Sequence, residues 1–264
     1  MPPPAPPPPA PPPPPQSVAA APAAFAAAAP PPGSRAAAVA SQLSWRNRHC
    51  GAAHFELQVA AGAPPVKVAQ VMGGEEKQIG TGTTVWDAST VLIRYLQHSG
   101  TSVEGKKLVD LGSGTGVTGF AAAALGAQVT VTDQAQILFL LRQNLAENEA
   151  SGAVPAGSVS VAEFSWGEDA SHLAPPVDVV LACECIVPRL YPIEPLVAAI
   201  ADLSGPDTVT LVAYEHRERA FSPQARFAEL AAERGLEVEN VAQAEMDPLY
   251  RADDIEIWRV TRAS

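Results

Sequence analysis

After residue 105, short apolar runs alternate along the chain with segments of helical periodicity. The apolar runs predict five successive strands, at 107–111, 128–132, 158–164, 177–183 and 208–214. The periodic segments predict four helices, at 117–125, 135–149, 193–203 and 223–234. Two further strands, at 236–241 and 255–260, have no helix between them and are therefore predicted to be antiparallel. The pattern predicts an open α/β sheet of about seven strands, mostly parallel with an antiparallel edge.

A hairpin and a helix are predicted ahead of this region. Residues 54–60 and 66–71 each alternate apolar and polar side chains, and a turn at 62–65 joins them into an N-terminal β-hairpin. Either Thr83 or Thr84 is predicted to cap the amphipathic helix that follows.

The first 40 residues differ in composition from the rest of the chain. Sixteen of the 27 prolines fall in residues 1–32, and Arg35 is the only charged side chain in residues 1–40. We expect a disordered, extended tail at 1–40 and a single domain at 41–264. The tail could bind proline-recognising domains or act as a targeting segment, although one arginine fits a transit peptide poorly.

Charge and cysteine content exclude several classes of protein. The formal net charge is −11 and there is no basic block, so we expect no nucleic-acid binding. Three cysteines, Cys50, Cys183 and Cys185, are too few for a disulfide framework and indicate a reducing compartment. We therefore expect a cytoplasmic protein, with the nucleus or an organelle as alternatives. Neither a membrane span nor a metal site is expected from the apolar runs and the histidine spacing.

The sharpest motif is a glycine-rich turn between the first strand and the first helix of the alternating region. It reads Asp110-Leu-Gly112-Ser-Gly114-Thr-Gly116, and Asp133 ends the next strand. Glycines let a ligand approach the backbone, and the N-terminus of the helix offers N–H groups. A carboxylate at Asp133 can accept hydrogen bonds from both hydroxyls of a ribose. The motif therefore indicates a nucleoside cofactor.

Two nucleoside cofactors are compatible with this turn. Residues 114–119 formally match the GxGxxG fingerprint of dinucleotide-binding proteins. The glycine run begins earlier, however, and an acid precedes it, which is the pattern of enzymes that use S-adenosyl-L-methionine (AdoMet). The chain also has one nucleotide-binding half rather than two. AdoMet is therefore the expected cofactor, and NAD is the alternative.

Five motifs occur in the order found in the seven-strand protein-lysine methyltransferases, a family that modifies chaperones and translation factors. They are Val85-Trp-Asp-Ala88, the 110–116 loop, Val131-Thr-Asp133, Ser165-Trp-Gly167 and Ala182-Cys-Glu-Cys-Ile186. The chain resembles this family over about residues 54–262, which implies a Rossmann-like, seven-stranded AdoMet-dependent methyltransferase sheet. Residues 214–217 and 250–257 look most like the member that methylates valosin-containing protein, an AAA ATPase.

The resemblance implies cofactor contacts at matching positions. By this resemblance, the tryptophan at 86 lines the cofactor pocket and the glycine loop faces the methionine part of the cofactor. The acid at 133 would bind the ribose, and the tryptophan at 166 would lie beside the adenine. The cysteine at 183 falls where the fourth strand ends beside the cofactor. Taken alone, either tryptophan is more often a core residue, and the cysteine can be plainly structural. The implied cofactor-binding residues are Trp86, Gly112, Ser113, Gly114, Asp133, Trp166 and Cys183.

The chain departs from the family directly after the fourth strand. The family carries Asp-x-x-Tyr at this point, whereas this chain has Glu184-Cys-Ile-Val187. Glu184 is the candidate catalytic residue, orienting the lysine amine, and the alternative is a structural or cofactor-contacting acid. Tyr191 is the candidate to replace the tyrosine that is missing at Val187.

Together these features predict an AdoMet-dependent methyltransferase that modifies a lysine of a protein substrate. The resemblance makes an AAA ATPase or a chaperone-type protein the expected partner, and we expect a monomer.

Glu215 and Arg217 follow the fifth strand and either line the substrate groove or form an exposed salt bridge. The alternative functions are a small-molecule methyltransferase and a non-catalytic interaction protein with the same fold.

Overall fold

The computed structural model describes residues 45–46, 51–100, 102–187, 190–216 and 223–263. The predicted tail at 1–40 lies outside the described residues, so the domain boundary at residue 41 stays a prediction.

The described residues form nine strands and five α-helices. The strands are β1 (His54–Leu57), β2 (Val66–Ala69), β3 (Lys107–Leu111), β4 (Gln128–Asp133), β5 (Val159–Glu163), β6 (Val177–Cys183), β7 (Ser204–Glu215), β8 (Leu236–Asn240) and β9 (Ile255–Arg262). The helices are α1 (Asp87–His98), α2 (Val117–Ala124), α3 (Leu138–Ser151), α4 (Ile193–Leu203) and α5 (Gln224–Ala232). Single 3₁₀ turns occur at Thr81–Thr83 and Ser171–Leu173.

Seven of the strands form one sheet in the order β5-β4-β3-β6-β7-β9-β8. The first five of these are parallel to one another, whereas β9 is antiparallel to both β7 and β8. The predicted mostly parallel sheet with an antiparallel edge is therefore confirmed. The strand order reverses between β3 and β6, and ligands of open α/β sheets bind at such a switch point.

The sheet is covered by helices on both faces, and β3 shows how alternate side chains divide the core. Leu108 packs with Phe120 of α2 in one buried cluster. Val109, the next residue, packs with Ile200 of α4 in the other. Because successive side chains of a strand point to opposite faces, a continuous apolar run such as β3 supplies both clusters.

The N-terminal hairpin is confirmed, with β1 and β2 antiparallel. Its attachment to the domain depends on two asparagines of α3 that the sequence did not single out. Asn144 bonds the backbone N–H and C=O of Ala69, and Asn148 bonds those of Lys67. Two residues of strand span roughly 6.6 Å and four residues of helix roughly 6 Å, so the two side chains match the edge of β2.

The predicted cap of the first helix is wrong by two or three residues, since the observed N-cap is Trp86. Neither Thr83 nor Thr84 caps it, because Thr84 and Trp86 have extended backbones and α1 begins at Asp87. The side chain of Gln70 accepts the N–H of Val85 at 2.7 Å, and this contact holds the segment against the hairpin. The intervening residues are thereby kept out of the helix and lie against the glycine loop.

Candidate active site

A pocket of about 250 Å³ opens at the switch point, where β3, β4 and β6 end. It brings together every residue for which a role was predicted at this site. The lining includes Trp86, Gly112, Ser113, Gly114, Asp133, Trp166, Cys183 and Glu184. Their separate roles stay predictions, but a single pocket can accommodate all of them.

The glycine loop is shaped by close contacts as well as by backbone conformation. Gly112 and Gly114 have φ values of 63° and 56°, in the left-handed region that favours glycine. A side chain at Gly114 would begin 2.5 Å from the carbonyl oxygen of Gly82. One at Gly112 would begin 3.0 Å from the ring of Trp166. The loop is therefore a bare backbone cradle, with the segment before α1 lying across it.

Asp133, the predicted ribose acid, ends β4 at the side of this cradle. Its carboxylate accepts the N–H of Gly114 and the N–H of Gln134, both at 2.8 Å. Burial raises the pKa of the Asp133 carboxyl, and these two hydrogen bonds oppose the shift. A carboxylate has about four acceptor positions, so Asp133 can still accept hydroxyl groups of a ligand.

Asp110, the first residue of the glycine motif, also lines the pocket, although no separate role was predicted for it. Only 1% of this residue is exposed, and its Oδ2 accepts the N–H of Gly119 at 3.0 Å. Burial raises the pKa of Asp110 to about 7, and the nearby Asp133 charge adds to the shift. The acid preceding the glycines was the available sequence signal for this residue.

Replacement of Asp110 with asparagine is expected to make the ligand-free protein more stable at pH 8. The folded pKa of about 7 exceeds the ordinary value of 3.8, so the wild-type free energy of unfolding falls as pH rises between these values. Three pKa units correspond to about 4 kcal/mol of the free energy of unfolding. The wild type loses this amount as the pH rises, whereas the Asp110→Asn variant has no ionisable group at this position and does not lose it. Urea unfolding at pH 5 and pH 8 measures the difference. A pH dependence equal to that of wild type would contradict the prediction, and exposed Glu168→Gln is the control.

The two cysteines at the end of β6 have different surroundings. Cys183 is half-buried, and its Sγ lies 3.4 Å from the hydroxyl of Ser89 in the pocket wall. Cys185 is buried and donates to the carbonyl oxygen of Leu111 at 3.0 Å. Burial raises the pKa of the Cys185 thiol well above its ordinary value, so this group is a neutral packing residue at physiological pH.

Glu184 occupies the turn that ends β6. Its φ is 57°, a left-handed conformation that costs a non-glycine residue about 1–2 kcal/mol. Its N–H donates to Ala213, and its Oε1 accepts the N–H of Glu215 at 2.8 Å. The carboxylate is thus fixed between the ends of β6 and β7, 8% of the residue is exposed, and it lines the pocket.

Tyr191 lies in the same pocket as Glu184, as its predicted replacement role requires. Its hydroxyl is 3.2 Å from that of Thr81, and its ring meets the ring of Trp166 edge-on, with the centroids 6.2 Å apart. The residues at 188–189 lie outside the described part of the chain. Tyr191 itself lies two residues before the start of α4, and it lines the pocket from there.

Glu215 does not stand in an isolated surface pair. Its side chain is 18% exposed and accepts Arg46 Nη2 at 2.5 Å. Arg217, the partner considered from the sequence, lies outside the described residues. The position of Glu215 after the fifth strand was predicted, but its pairing with a residue 169 positions away was not.

The charge of the pocket separates the two cofactors considered above. Of the described residues that line it, three carry ionisable acids, Asp110, Asp133 and Glu184, and none is a lysine, arginine or histidine. A pyrophosphate would meet no cation here, whereas a ligand with ammonium and sulfonium groups suits an acidic wall. The residues present therefore fit AdoMet.

The described part of the chain was expected to hold neither a metal site nor a membrane span. No group of three or more His, Cys, Asp or Glu side chains there is arranged to hold a metal ion. No helix among the described residues has the length and apolar character needed to cross a membrane.

The fold matches solved methyltransferase structures at low sequence identity. The glycopeptide N-methyltransferase MtfA has a TM-score of 0.52 at 15% identity, with 66% of this chain and 90% of that chain covered. A TehB-like SAM-dependent methyltransferase from Corynebacterium glutamicum has a TM-score of 0.50 at 18% identity, with coverages of 65% and 86%. At these identities the likeness shows the fold alone, which this chain shares with both methyltransferases.

The sequence comparison narrows this fold to a family. The family model described as lysine methyltransferase matches residues 69–232, and the chain belongs to that family. Protein N-lysine methyltransferase METTL21A of Danio rerio is 37% identical over 150 residues, which are 54% of this chain and 66% of the relative. EEF1A lysine methyltransferase 3 of Xenopus tropicalis is 30% identical over 141 residues, 53% and 60% of the two chains. The chain spans about half to two thirds of the length of the curated relatives it matches.

Proposed function

We propose that the protein transfers a methyl group from AdoMet to the side-chain amine of a lysine in a protein substrate. The observation that carries this proposal is the pocket at the switch point, with a bare glycine cradle and three acids but no described basic residue. Membership of the lysine methyltransferase family supports lysine as the acceptor.

The order of the strands supports one orientation of the cofactor. Trp166 follows β5, Asp133 ends β4, the glycine loop follows β3, and Glu184 follows β6. Adjacent strands lie about 4.8 Å apart, so the backbones at the ends of β4 and β6 are separated by roughly 10 Å. The adenine is then assigned to Trp166, the ribose to Asp133, the methionine part to the glycine loop, and the acceptor amine to the side of Glu184.

The chain's own groups act on the incoming amine. When bound, AdoMet would supply a methyl group on a sulfonium sulfur: the amine lone pair would form the new N–C bond, the S–C bond would break, and a neutral thioether would leave as the nitrogen became positive. A carboxylate at Glu184 accepts an N–H of the amine and is attracted to the positive charge that develops there. This interaction is stronger in the transition state than with the neutral amine, so it accelerates transfer. The proton that nitrogen then sheds passes to water.

The class of substrate protein rests on the sequence resemblance. We propose an AAA ATPase or a chaperone-type protein in the cytoplasm as the target. The net charge of −11 favours a basic lysine-bearing segment over an acidic one. Residues 214–217 and 250–257 look most like the family member that methylates valosin-containing protein, and an AAA ATPase as the target stays a prediction from that likeness.

The proposal is tested with the full chain, methyl-tritiated AdoMet and a cell lysate freed of endogenous AdoMet. We expect a labelled protein whose hydrolysate contains tritiated methyl-lysine, and less label with the Asp133→Ala variant when AdoMet is limiting. Label confined to small molecules would favour the metabolite methyltransferase. Failure of the chain to bind AdoMet in calorimetry would favour the non-catalytic interaction protein.

Replacement of Tyr191 with phenylalanine is expected to lower the rate of methyl transfer by two- to tenfold. The variant loses the hydroxyl that meets Thr81, and one hydrogen bond contributes about 0.5–1.5 kcal/mol. AdoMet affinity should change less than threefold, because the phenylalanine ring keeps the edge-on contact with Trp166. Initial rates at saturating AdoMet measure the effect. Tyr95→Phe, which loses a hydroxyl bonded to Arg259, is the matched control, and equal rates in the two variants would contradict a role for Tyr191.

A further inference from the structure

We propose that Arg46 is a positioning residue for methyl transfer, which holds the Glu184 turn and the start of α1 in register around the acceptor end of the pocket. The inference rests on the proposed function and concerns a residue outside the region that the family model matches, residues 69–232.

The guanidinium of Arg46 bonds three carboxylates at once. Nε lies 3.1 Å from Asp87, Nη2 lies 2.5 Å from Glu215, and Nη1 bonds both oxygens of Asp254 at 2.7 and 3.0 Å. The exposed fraction of the side chain is 4% for Asp87, 17% for Arg46 and 18% for Glu215, whereas Asp254, at 45%, is open to solvent. A planar fork of five N–H donors can satisfy three carboxylates, which a lysine ammonium cannot do with the same geometry.

Each of the three carboxylates belongs to a different element near the pocket. Asp87 is the first residue of α1 and directly follows the pocket residue Trp86. Glu215 is the last residue of β7, and its N–H donates to the carboxylate of Glu184. Asp254 precedes β9, and its carbonyl oxygen accepts the N–H of the residue after β7. Arg46 therefore links the two walls that flank the acceptor end.

Arg46 is itself held by the residue beside it. The indole N–H of Trp45 donates to the carbonyl oxygen of Leu249 at 2.8 Å, and its ring lies 5.9 Å from that of Tyr250. Trp45 is 6% exposed. This packing anchors the segment against the loop before β9 and leaves the guanidinium directed at the three acids.

The position of Glu184 must be controlled closely, because small misplacements of a catalytic group lower rates by as much as ~100-fold. The carboxylate of Glu184 is oriented by the N–H of Glu215. The side chain of Glu215 is in turn oriented by Arg46. Removal of the guanidinium would take away the ion-pair partner that Asp87 and Glu215 share, and with it a direct link between α1 and β7. The effect on catalysis would then pass through Glu184 rather than through the cofactor.

The test compares Arg46→Met, Arg46→Lys and the control Arg226→Met in the full chain. Arg226 also bonds two acids, Glu194 and Glu229, but on an exposed surface. Incorporation of tritium from AdoMet into the protein that wild type labels in a lysate gives the rate, and calorimetry gives AdoMet affinity. We expect the rate to fall at least tenfold for Arg46→Met and less for Arg46→Lys, with AdoMet affinity within threefold of wild type and Arg226→Met unchanged.

A double-mutant cycle separates positioning from a merely structural role. In the Glu184→Gln background, Arg46→Met should lower the rate by less than twofold, because residues that act through one another are not additive. Full additivity, or an unchanged rate for Arg46→Met at a temperature where it is folded, would overturn the inference. Should Arg46→Met fail to fold, Arg46→Lys enters the same cycle with the same criteria. Absence of any labelled protein with wild type would instead refute the proposed function.

Discussion

Replacement of Glu184 with glutamine is expected to slow methyl transfer by about 100-fold and to leave AdoMet affinity within a fewfold of wild type. Glutamine keeps an oxygen that can accept the N–H of Glu215, so the turn that ends β6 is preserved. It removes the negative charge that faces the amine nitrogen as that atom becomes positive. The adenine and the ribose are assigned to Trp166 and Asp133, so their contacts should remain.

Initial rates at saturating AdoMet, together with calorimetric titration, measure the two effects separately. Glu184→Asp should retain part of the activity, because the family carries the shorter acid at this position. Glu184→Ala should also be less stable than Glu184→Gln, since it removes the acceptor of a backbone N–H. Equal losses of affinity and rate in Glu184→Gln would make this acid a cofactor ligand instead of an acceptor-side group.

Replacement of Asp133 with alanine is expected to weaken AdoMet binding by at least tenfold. The carboxylate is positioned to accept hydroxyl groups, and hydrogen bonds to charged groups contribute about 1.5–3 kcal/mol each. One such bond corresponds to a factor of ten or more in the dissociation constant. The variant also loses the acceptor of the Gly114 N–H, which should loosen the glycine loop.

Calorimetry with AdoMet provides the measurement for Asp133→Ala, and Glu163→Ala is its matched control. Glu163 is the register partner of Asp133 on the neighbouring strand β5 but is exposed. The Glu163→Ala variant should therefore bind AdoMet as the wild type does. An unchanged affinity in Asp133→Ala would show that the ribose is held by other groups, and a parallel loss in Glu163→Ala would point to general electrostatics.

Local pattern and composition were sufficient to predict the sheet, the hairpin and the glycine loop. Continuous apolar runs mark strands that are buried on both faces, and β3 and β6 have the predicted bounds. The glycine loop was predicted because only glycine adopts its backbone conformations easily. Strand order then places the ends of β3, β4 and β6 side by side, so the residues after them were expected to share one pocket.

Contacts between distant parts of the chain were decided only by the tertiary structure. In the sequence, Asn144 and Asn148 are ordinary polar residues of a helix. Their role is visible only in the folded chain, where they bond the backbone at the edge of β2. The start of α1 is set by Gln70 rather than by a local cap, since this side chain holds Val85 in an extended segment.

The environment of each charged group likewise depends on what surrounds it in space. The glycine motif marks Asp110 in the sequence, but its burial in the folded chain is what raises its pKa to about 7. Arg46 is one of 17 basic residues in the chain, and its role follows from meeting three acids at positions 87, 215 and 254. Periodicity and turn chemistry act between neighbours in sequence, whereas desolvation and ion pairing act between neighbours in space. The sequence therefore determined the fold and the family of this protein, and the tertiary structure decided which side chains share a charge network.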